Sequence, residues 1–280
     1  MTNVVYLSDT LLSDVVGGGE LNDYELCLEL ANRGLNVQRL RTFQILEDHT
    51  DTACFYIISN FVMLNSRVLD KIQNTCDYII YEHDHKYLKN RNPAKFKNYK
   101  APHNMIINHK FYKNAKAVLC QSTFHESIIK KNLNLDNLHN VSGNLWSLDS
   151  LRMMKTLSKK QKKDCFSIMN SPISHKNTKE TCFYCDKKDY KYELISSKNY
   201  EEFLSLLSNN EKFIFLPKTP ETLSRVVVEA RMMNISVTTN KRVGASYEDW
   251  FQLKGEELID HMLNKRQEIV NNLMEVINAK

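Results

Sequence analysis

The sequence predicts an α/β protein made of two small doubly wound domains, each a parallel sheet with helices on both faces. Short runs of β-branched and aromatic residues alternate with longer runs of helical spacing, as in strand–helix–strand units. The alternation occurs twice, on either side of a polar, basic stretch over 146–163. A length of 280 residues suits two domains of roughly 120 to 150 residues each.

The first unit holds five candidate strands. They are NVVYLS (3–8), NVQRLRT (36–42), CFYIISN (54–60), DYIIYE (77–82) and AVLCQS (117–122). A helix is predicted after the first strand, since apolar residues recur at helical spacing from Leu21 to Ala31 and Gly34 follows as a terminator. A second helix is expected over 61–75. We assign 1–146 to an N-terminal domain.

The second unit repeats the pattern with fewer strands. Strands are predicted at 165–170, 191–196, 212–217 and 235–240, and helices over 176–185, over 200–210 and from Pro220 onward. The polar stretch is interpreted as the connection between domains. Residues 147–262 are assigned to a second domain, and 263–280 to a C-terminal helix that packs back across the molecule.

The composition excludes a disordered chain and indicates a cytoplasmic protein. The residues are 42% hydrophobic and 25% charged, and no window approaches the ~18 apolar residues of a membrane span. Met1 leads almost directly into a strand-like run, so we expect a cytoplasmic location (the host cytoplasm if the chain is viral). Of seven cysteines only Cys182 and Cys185 form a CxxC, without a second pair to complete a zinc site, so no metal is expected.

Glycines stand between the first strand and the first helix. Ligands of open parallel sheets bind beyond the carboxyl ends of the strands, so two such sheets predict a cleft between them. In VVGGGELND, Gly17 and Gly18 allow close approach of a bulky anion, and the helix start offers unpaired N–H groups. The spacing is not G-x-G-x-x-G, which disfavours a dinucleotide cofactor.

A histidine follows the fourth strand. In YIIYEHDHKYL, His83 lies nearest the strand end, where α/β domains present their active-site loops. The residue type suits a polar contact or proton handling at a substrate, and a hydrogen-bonded loop histidine explains it equally well.

PETLSRVVVEA (220–230) carries a carboxylate at each end of an apolar helical run. Pro220 fits a helix start, which would place Glu221 in the first turn and Glu229 about 12 Å further along the axis. Two carboxylates at such sites could accept hydrogen bonds from a transferred sugar and from a ribose. For the bare spacing, an acidic helix start plus a surface glutamate explains the pattern as well.

The wider string over 217–230 is P-x-x-x-E-x-x-x-x-V-V-x-E-A, and a small-residue strand follows it. It resembles the donor-binding signature of retaining glycosyltransferases with the GT-B fold. The glycine loop, the histidine after a mid-domain strand, AKAVLCQSTFHESIIKK (115–131) and NVSGNLWS (140–147) are similar to that family in the same order. The resemblance implies two Rossmann-like domains with a ligand cleft between them. It also implies a compact member, of a size that suits a phage-encoded or virus-encoded enzyme.

The resemblance implies a role for each matching residue. Glu229 would hold the ribose, Glu221 the donor sugar, Gly17 and Gly18 the phosphates, and His83 would approach the transferred sugar. Lys176 stands at the family's diphosphate-binding lysine, but the arginine that usually precedes it is absent. The family's E-G-F-G is here Glu221-Thr222-Leu223-Ser224, without glycine. Ser224 and Arg225 are the remaining donor-binding candidates, and Arg225 could supply the missing cation to the diphosphate. The implied reaction transfers a sugar from a nucleotide sugar, UDP in the common case, with retention and without a metal or other cofactor.

Nine basic residues and no acidic residue lie between Lys86 and Lys116, giving this segment a charge of +9 while the rest of the chain sums to −4. We take its first part as the acceptor-binding surface, with Lys86, Lys89, Arg91, Lys95 and Lys97. Lysine interleaved with tyrosine and phenylalanine suits a nucleic acid, such as DNA with a hydroxymethylcytosine-type base. The basic segment is equally compatible with an anionic membrane that bears a lipid-linked or glycan acceptor, and with a loop that is only solvated.

The alternative functions of the protein are an epimerase, a phosphorylase and a non-catalytic nucleic-acid-binding protein.

Overall fold

The computed structural model describes residues 2–279. Its first sheet has six parallel strands in the order β2-β1-β3-β4-β5-β6. The strands are β1 (Asn3–Ser8), β2 (Asn36–Arg41), β3 (Phe55–Ile58), β4 (Asp77–Tyr81), β5 (Ala117–Cys120) and β6 (Leu138–Asn140). The helices that connect them are α1 (Gly18–Asn32), α2 (Ser66–Thr75), α3 (His109–Asn114) and α4 (Thr123–Leu133).

Both faces of this sheet are buried, because alternate residues of each strand pack on opposite helix layers. In β4, Tyr78 and Ile80 belong to the core that also holds residues of α2 and α3. Ile79 and Tyr81 belong to the core on the other face, with residues of α1 and of the C-terminal helix. Helix α1 ends as its sequence predicts, since Gly34 has φ +87° and donates its N–H to Ala31.

The second sheet has four parallel strands in the order β10-β9-β7-β8. They are β7 (Lys163–Met169), β8 (Tyr192–Ile195), β9 (Asn210–Phe215) and β10 (Ser236–Thr239). The helices of this half are α5 (Leu148–Ser158), α6 (Thr178–Lys187), α7 (Tyr200–Leu207), α8 (Arg225–Met232) and α9 (Gly255–Asn278).

Helix α9 crosses both halves. Leu258, Ile259 and Met262 near its start are part of the core of the second half. Four residues further along are part of the core of the first half, and they are Ile269, Val270, Leu273 and Ile277. The predicted α/β architecture with a helix packing back across is therefore confirmed. No helix within residues 2–279 combines the length and apolarity that crossing a membrane requires.

The stretch over 146–163, interpreted as the connection between domains, contains helix α5, which Ser147 caps and whose residues Leu151 and Met154 are buried. One local prediction is wrong. The helix expected from Pro220 begins only at Arg225. Ser224 has φ +76°, a left-handed conformation that interrupts a helix, so Glu221 lies in the loop before α8 rather than in its first turn.

Candidate functional site

A cavity of about 430 Å³ lies between the two sheets, beyond the carboxyl ends of β1, β4, β7 and β9. This donor cavity, as we call it below, is bordered by all the residues for which the sequence implied a catalytic or donor-binding role. They are Gly17, Gly18, His83, Lys176, Glu221, Ser224, Arg225 and Glu229. Its volume falls within the roughly 300–1,000 Å³ typical of small-molecule sites.

Two helix starts border the donor cavity. Helix α1 begins at Gly18 after the N-cap residue Gly17, which offers no side chain to the first N–H groups. A Cβ at Gly18 would lie 3.0 Å from Cδ of Arg225, so glycine permits close contact between the two halves. At the start of α8, Ser224 is 8% exposed and its hydroxyl has no hydrogen-bond partner within residues 2–279. Both positions suit an anion.

Glu229 is a buried carboxylate with one oxygen fully engaged. Its Oε1 accepts from Trp146 Nε1 at 2.9 Å and from Tyr200 Oη at 2.7 Å, and it lies 3.4 Å from Arg225 Nε. The described residues 2–279 give no hydrogen bond to Oε2. The Arg225 guanidinium in turn stacks 4.4 Å from the Trp146 ring and donates to the carbonyl of Leu145. The carboxylate is thus held rigidly with one oxygen left for a ligand.

Glu221 and Lys176 form a second ion pair at the cavity, after that of Glu229 with Arg225. Lys176 Nζ lies 2.9 Å from both oxygens of Glu221, and both side chains are partly exposed. The Glu221 backbone is fixed by a parallel bridge to Val243, in which its N–H donates to the Arg242 carbonyl and its carbonyl accepts from the Gly244 N–H. Lys176 follows β7 and Glu221 follows β9, which are adjacent strands of the sheet.

His83 is held at both ring nitrogens. Its Nε2 lies 2.5 Å from Asp23 Oδ1, and its Nδ1 lies 2.5 Å from Gln121 Nε2. Because the amide nitrogen can only donate, Nδ1 accepts and Nε2–H donates to Asp23. The geometry therefore gives His83 a fixed orientation in the cavity wall.

Asp23 and Gln121 extend this arrangement in both directions. Burial acts to raise the pKa of Asp23, but His83 and the Ser59 hydroxyl hold that pKa below its ordinary value. Gln121 Oε1 lies 3.2 Å from Thr222 Oγ1 in the second half. The network therefore reaches from α1 to the residue next to Glu221.

Several residues of this site were missed from sequence. Asp23, Gln121, Trp146 and Tyr200 support the predicted residues, and they lie far from them along the chain. Tyr200 also belongs to an apolar wall of the donor cavity at the carboxyl end of β7, with Met169, Ile173, Phe203 and Val226. Only the polar residue at 23 within an apolar helical run could have signalled one of them.

The basic segment is only partly a surface. Lys89, Arg91, Lys95 and Lys97 are exposed, as predicted for an acceptor-binding region. The assignment of Lys86 to that surface is wrong, since Lys86 is 2% exposed and its ammonium pairs with buried Glu82. A buried charge needs such a partner, and the pair anchors the start of the loop.

The CxxC formed by Cys182 and Cys185 lies on helix α6. Cys185 is buried, and burial raises its thiol pKa to about 11, while Cys182 is half-buried. Within residues 2–279 no group of three or more His, Cys, Asp or Glu side chains is placed to hold a metal ion.

Comparison of sequences gives no relative. No protein-family profile matches the chain, and no curated protein is significantly similar to it.

Comparison with solved structures finds many proteins of similar fold. Anabaena HepE in complex with UDP and glucose superposes with a TM-score of 0.58 at 12% identity, covering 98% of this chain and 100% of that one. An alpha-glucosyltransferase in complex with UDP and DNA containing an HMU base gives 0.53 at 9% identity, covering 96% and 90%. Starch synthase IV of Arabidopsis thaliana, bound to ADP and acarbose, gives 0.55 at 7% identity, covering 100% and 95%. At these identities the likeness is one of fold: the chain has the GT-B fold of glycosyltransferases.

Proposed function

We propose that the chain is a glycosyltransferase that moves a sugar from a UDP-sugar to an acceptor hydroxyl on a hydroxymethyl base in DNA. One observation carries the proposal: Glu221 with Lys176 and Glu229 with Arg225 border a single cavity between two helix starts. Carboxylates accept from sugar hydroxyls, and cations with helix N–H groups bind phosphate. Structures of the same fold with UDP, UDP and glucose, or ADP support this reading.

The UDP-sugar fits the donor cavity in one orientation. The nucleoside lies against the apolar wall around Tyr200, with its ribose on Glu229 Oε2. The diphosphate lies at the starts of α1 and α8, near the Ser224 hydroxyl and Arg225. The sugar reaches Glu221 and the His83 side of the cavity, and Lys176 leaves Glu221 to contact the leaving phosphate.

The reaction we propose is metal-independent and retains configuration. The bond from the sugar C1 to the diphosphate oxygen breaks, and a bond from C1 to the acceptor oxygen forms on the same face. The proton of the acceptor hydroxyl passes to the departing phosphate oxygen. Lys176 and Arg225 stabilise the charge that develops on that phosphate. This scheme needs no proton acceptor on the protein, which agrees with a His83 whose ring nitrogens are both engaged.

We further propose that residues 1–146 bind the acceptor and 147–262 the donor, with 263–280 joining them, in the cytoplasm. The exposed lysines after β4 support an anionic acceptor, and the neighbour that binds DNA supports DNA over a lipid-linked glycan.

The donor half of the proposal is tested by titrating UDP into the protein and by following hydrolysis of a UDP-sugar panel. We expect micromolar UDP binding with EDTA present and a product of retained anomeric configuration by NMR. Absence of UDP binding would contradict the proposal, and an inverted product would contradict its mechanism.

A further inference from the structure

The loop that carries Glu221 is contacted by the first half of the molecule at the next residue, Thr222. The Thr222 carbonyl accepts a hydrogen bond from the Ser122 hydroxyl at 2.5 Å. The Thr222 hydroxyl lies 3.2 Å from each of two acceptors, the His83 carbonyl oxygen and Gln121 Oε1. The segment before α8 is therefore attached to the first half directly beside Glu221.

The Ser122 hydroxyl makes two hydrogen bonds with opposite roles. As the N-cap of α4 it accepts from the His125 N–H at 3.1 Å, and its own proton goes to the Thr222 carbonyl. Ser122 is fully buried, so water does not compete for either bond. Within residues 2–279 no other group donates to the Thr222 carbonyl. One hydroxyl thus ties the start of α4 to the Glu221 loop.

The first two residues of α4 also contact the second half. The Thr123 N–H donates to Glu248 Oε1 at 2.5 Å, and the Phe124 ring stacks on the Tyr247 ring with centroids 4.5 Å apart. Glu248 is 7% exposed, and its other oxygen accepts from the Ser142 hydroxyl. A carboxylate is favoured at a helix start, where unpaired N–H groups carry positive charge. The start of α4 is therefore held against the second half by three consecutive residues.

Gly244 lies at the point where Ser122 meets Thr222. Its N–H donates to the Glu221 carbonyl at 2.9 Å. A Cβ at this position would overlap both the Ser122 hydroxyl and the Thr222 carbonyl, so only glycine leaves room for their contact. Because the three residues are packed without space between them, the Ser122 hydroxyl sets the distance between α4 and the Glu221 loop.

We propose that Ser122 is a positioning residue for sugar transfer, which acts through the Thr222 carbonyl to align Glu221 with the half that binds the acceptor. Ser122 does not border the donor cavity. Transfer needs the sugar C1 and the acceptor oxygen in contact across the two halves, and a misplacement of about 1 Å can slow such a step about a hundredfold. The inference rests on the proposed function and adds to it a residue outside the donor cavity.

The test compares Ser122→Ala with Ser122→Gly. Both remove the hydroxyl, but glycine is a much better N-cap than alanine, so the glycine variant keeps most of the stability of α4. Asn65→Ala is the matched control, since Asn65 caps α2 in the same half by accepting from the Arg67 N–H. Calorimetry measures UDP binding. With the UDP-sugar that the unmodified protein uses, the second readout is sugar transferred to a hydroxymethylcytosine duplex relative to sugar lost to water. That ratio does not depend on how much of the protein is folded.

We expect both Ser122 variants to bind UDP within threefold of the unmodified protein and to transfer sugar at least tenfold more slowly. A larger share of the UDP-sugar should go to water, because a misaligned site no longer excludes solvent. The control should lose stability and keep the ratio. A normal ratio and rate in Ser122→Gly, with loss only in Ser122→Ala, would show that Ser122 only caps α4 and would overturn the proposal. So would UDP binding that weakens as much as transfer slows. Failure of the proposed function would appear separately, as absence of UDP binding and sugar transfer by the unmodified protein.

Discussion

Lys176 and Glu221 hold each other in the donor cavity, with the ammonium 2.9 Å from both carboxylate oxygens. A donor that binds both must separate them, since we assign Lys176 to the phosphate and Glu221 to the sugar. The pair therefore keeps both side chains in place before the donor arrives.

Glu221→Gln should separate nucleotide binding from transfer. Releasing Lys176 from a partly exposed ion pair, worth about 0.2–1 kcal/mol, should tighten UDP binding by up to about fivefold. Loss of the contact to the sugar should slow transfer about a hundredfold. Calorimetry and a transfer assay measure the two effects. Glu193→Gln is the control, since Glu193 pairs with Lys163 outside the cavity; weaker UDP binding by Glu221→Gln would contradict the assignment.

Glu229→Gln should reduce discrimination for the ribose. A hydrogen bond to a charged group is worth roughly 1.5–3 kcal/mol, so the protein should bind UDP about ten- to a hundredfold tighter than 2′-deoxy-UDP. The variant should lose most of that preference, as measured by competition. Glu25→Gln removes a different buried carboxylate, one paired with Arg266, and should keep the preference. An unchanged preference in Glu229→Gln would rule out this role.

Gly244→Ala should displace the loop that carries Glu221. A Cβ at Gly244 would lie 2.1 Å from the carbonyl oxygen of Thr222 and 2.4 Å from the Ser122 hydroxyl, so the backbone must move. We expect a loss of about 1–3 kcal/mol in the free energy of unfolding, together with weaker UDP-sugar binding. Gly143→Ala is the control, because its nearest neighbour would be Met262 Sδ at 3.6 Å. Equal stability of the two variants in urea would contradict the packing described.

Stability should decrease as the pH falls from 6.5 towards 4. Burial lowers the pKa of His85 from 6.5 to about 4, and it lowers that of His125 as well. In this range the unfolded chain binds protons that the folded chain does not, so unfolding is favoured as the pH falls. A shift of this size corresponds to a loss on the order of 3 kcal/mol for His85. Urea unfolding at several pH values measures it, and a flat profile would contradict the burial of neutral histidines. Replacing both with glutamine should flatten the profile.

Much of the fold was predictable because its strands are short, apolar and evenly separated by amphipathic helices. The buried start of the basic loop was not, since nothing near Lys86 in sequence distinguishes it from exposed Lys89. Strand β6, with three residues, is too short for a periodic signal.

Glu221 and Glu229 were found from their spacing and context, whereas the residues that orient the site were not. Trp146 and Tyr200 contact Glu229 from 83 and 29 positions away, and Asp23 contacts His83 across 60 positions. Such contacts depend on tertiary structure and leave no local pattern. The start of α8 was misplaced because Ser224 adopts a left-handed conformation that its residue type does not signal.

The most direct test of the proposed function is mass spectrometry of nucleosides from hydroxymethylcytosine-containing DNA incubated with the protein and UDP-sugars, with Glu221→Gln alongside. The proposed function predicts a hydroxymethylcytosine nucleoside heavier by one sugar, in greatly reduced amount with the variant. DNA left unmodified by every donor, while UDP-sugar is consumed in the presence of lipid or glycan, would contradict the DNA acceptor. No turnover of any donor would contradict the transferase itself.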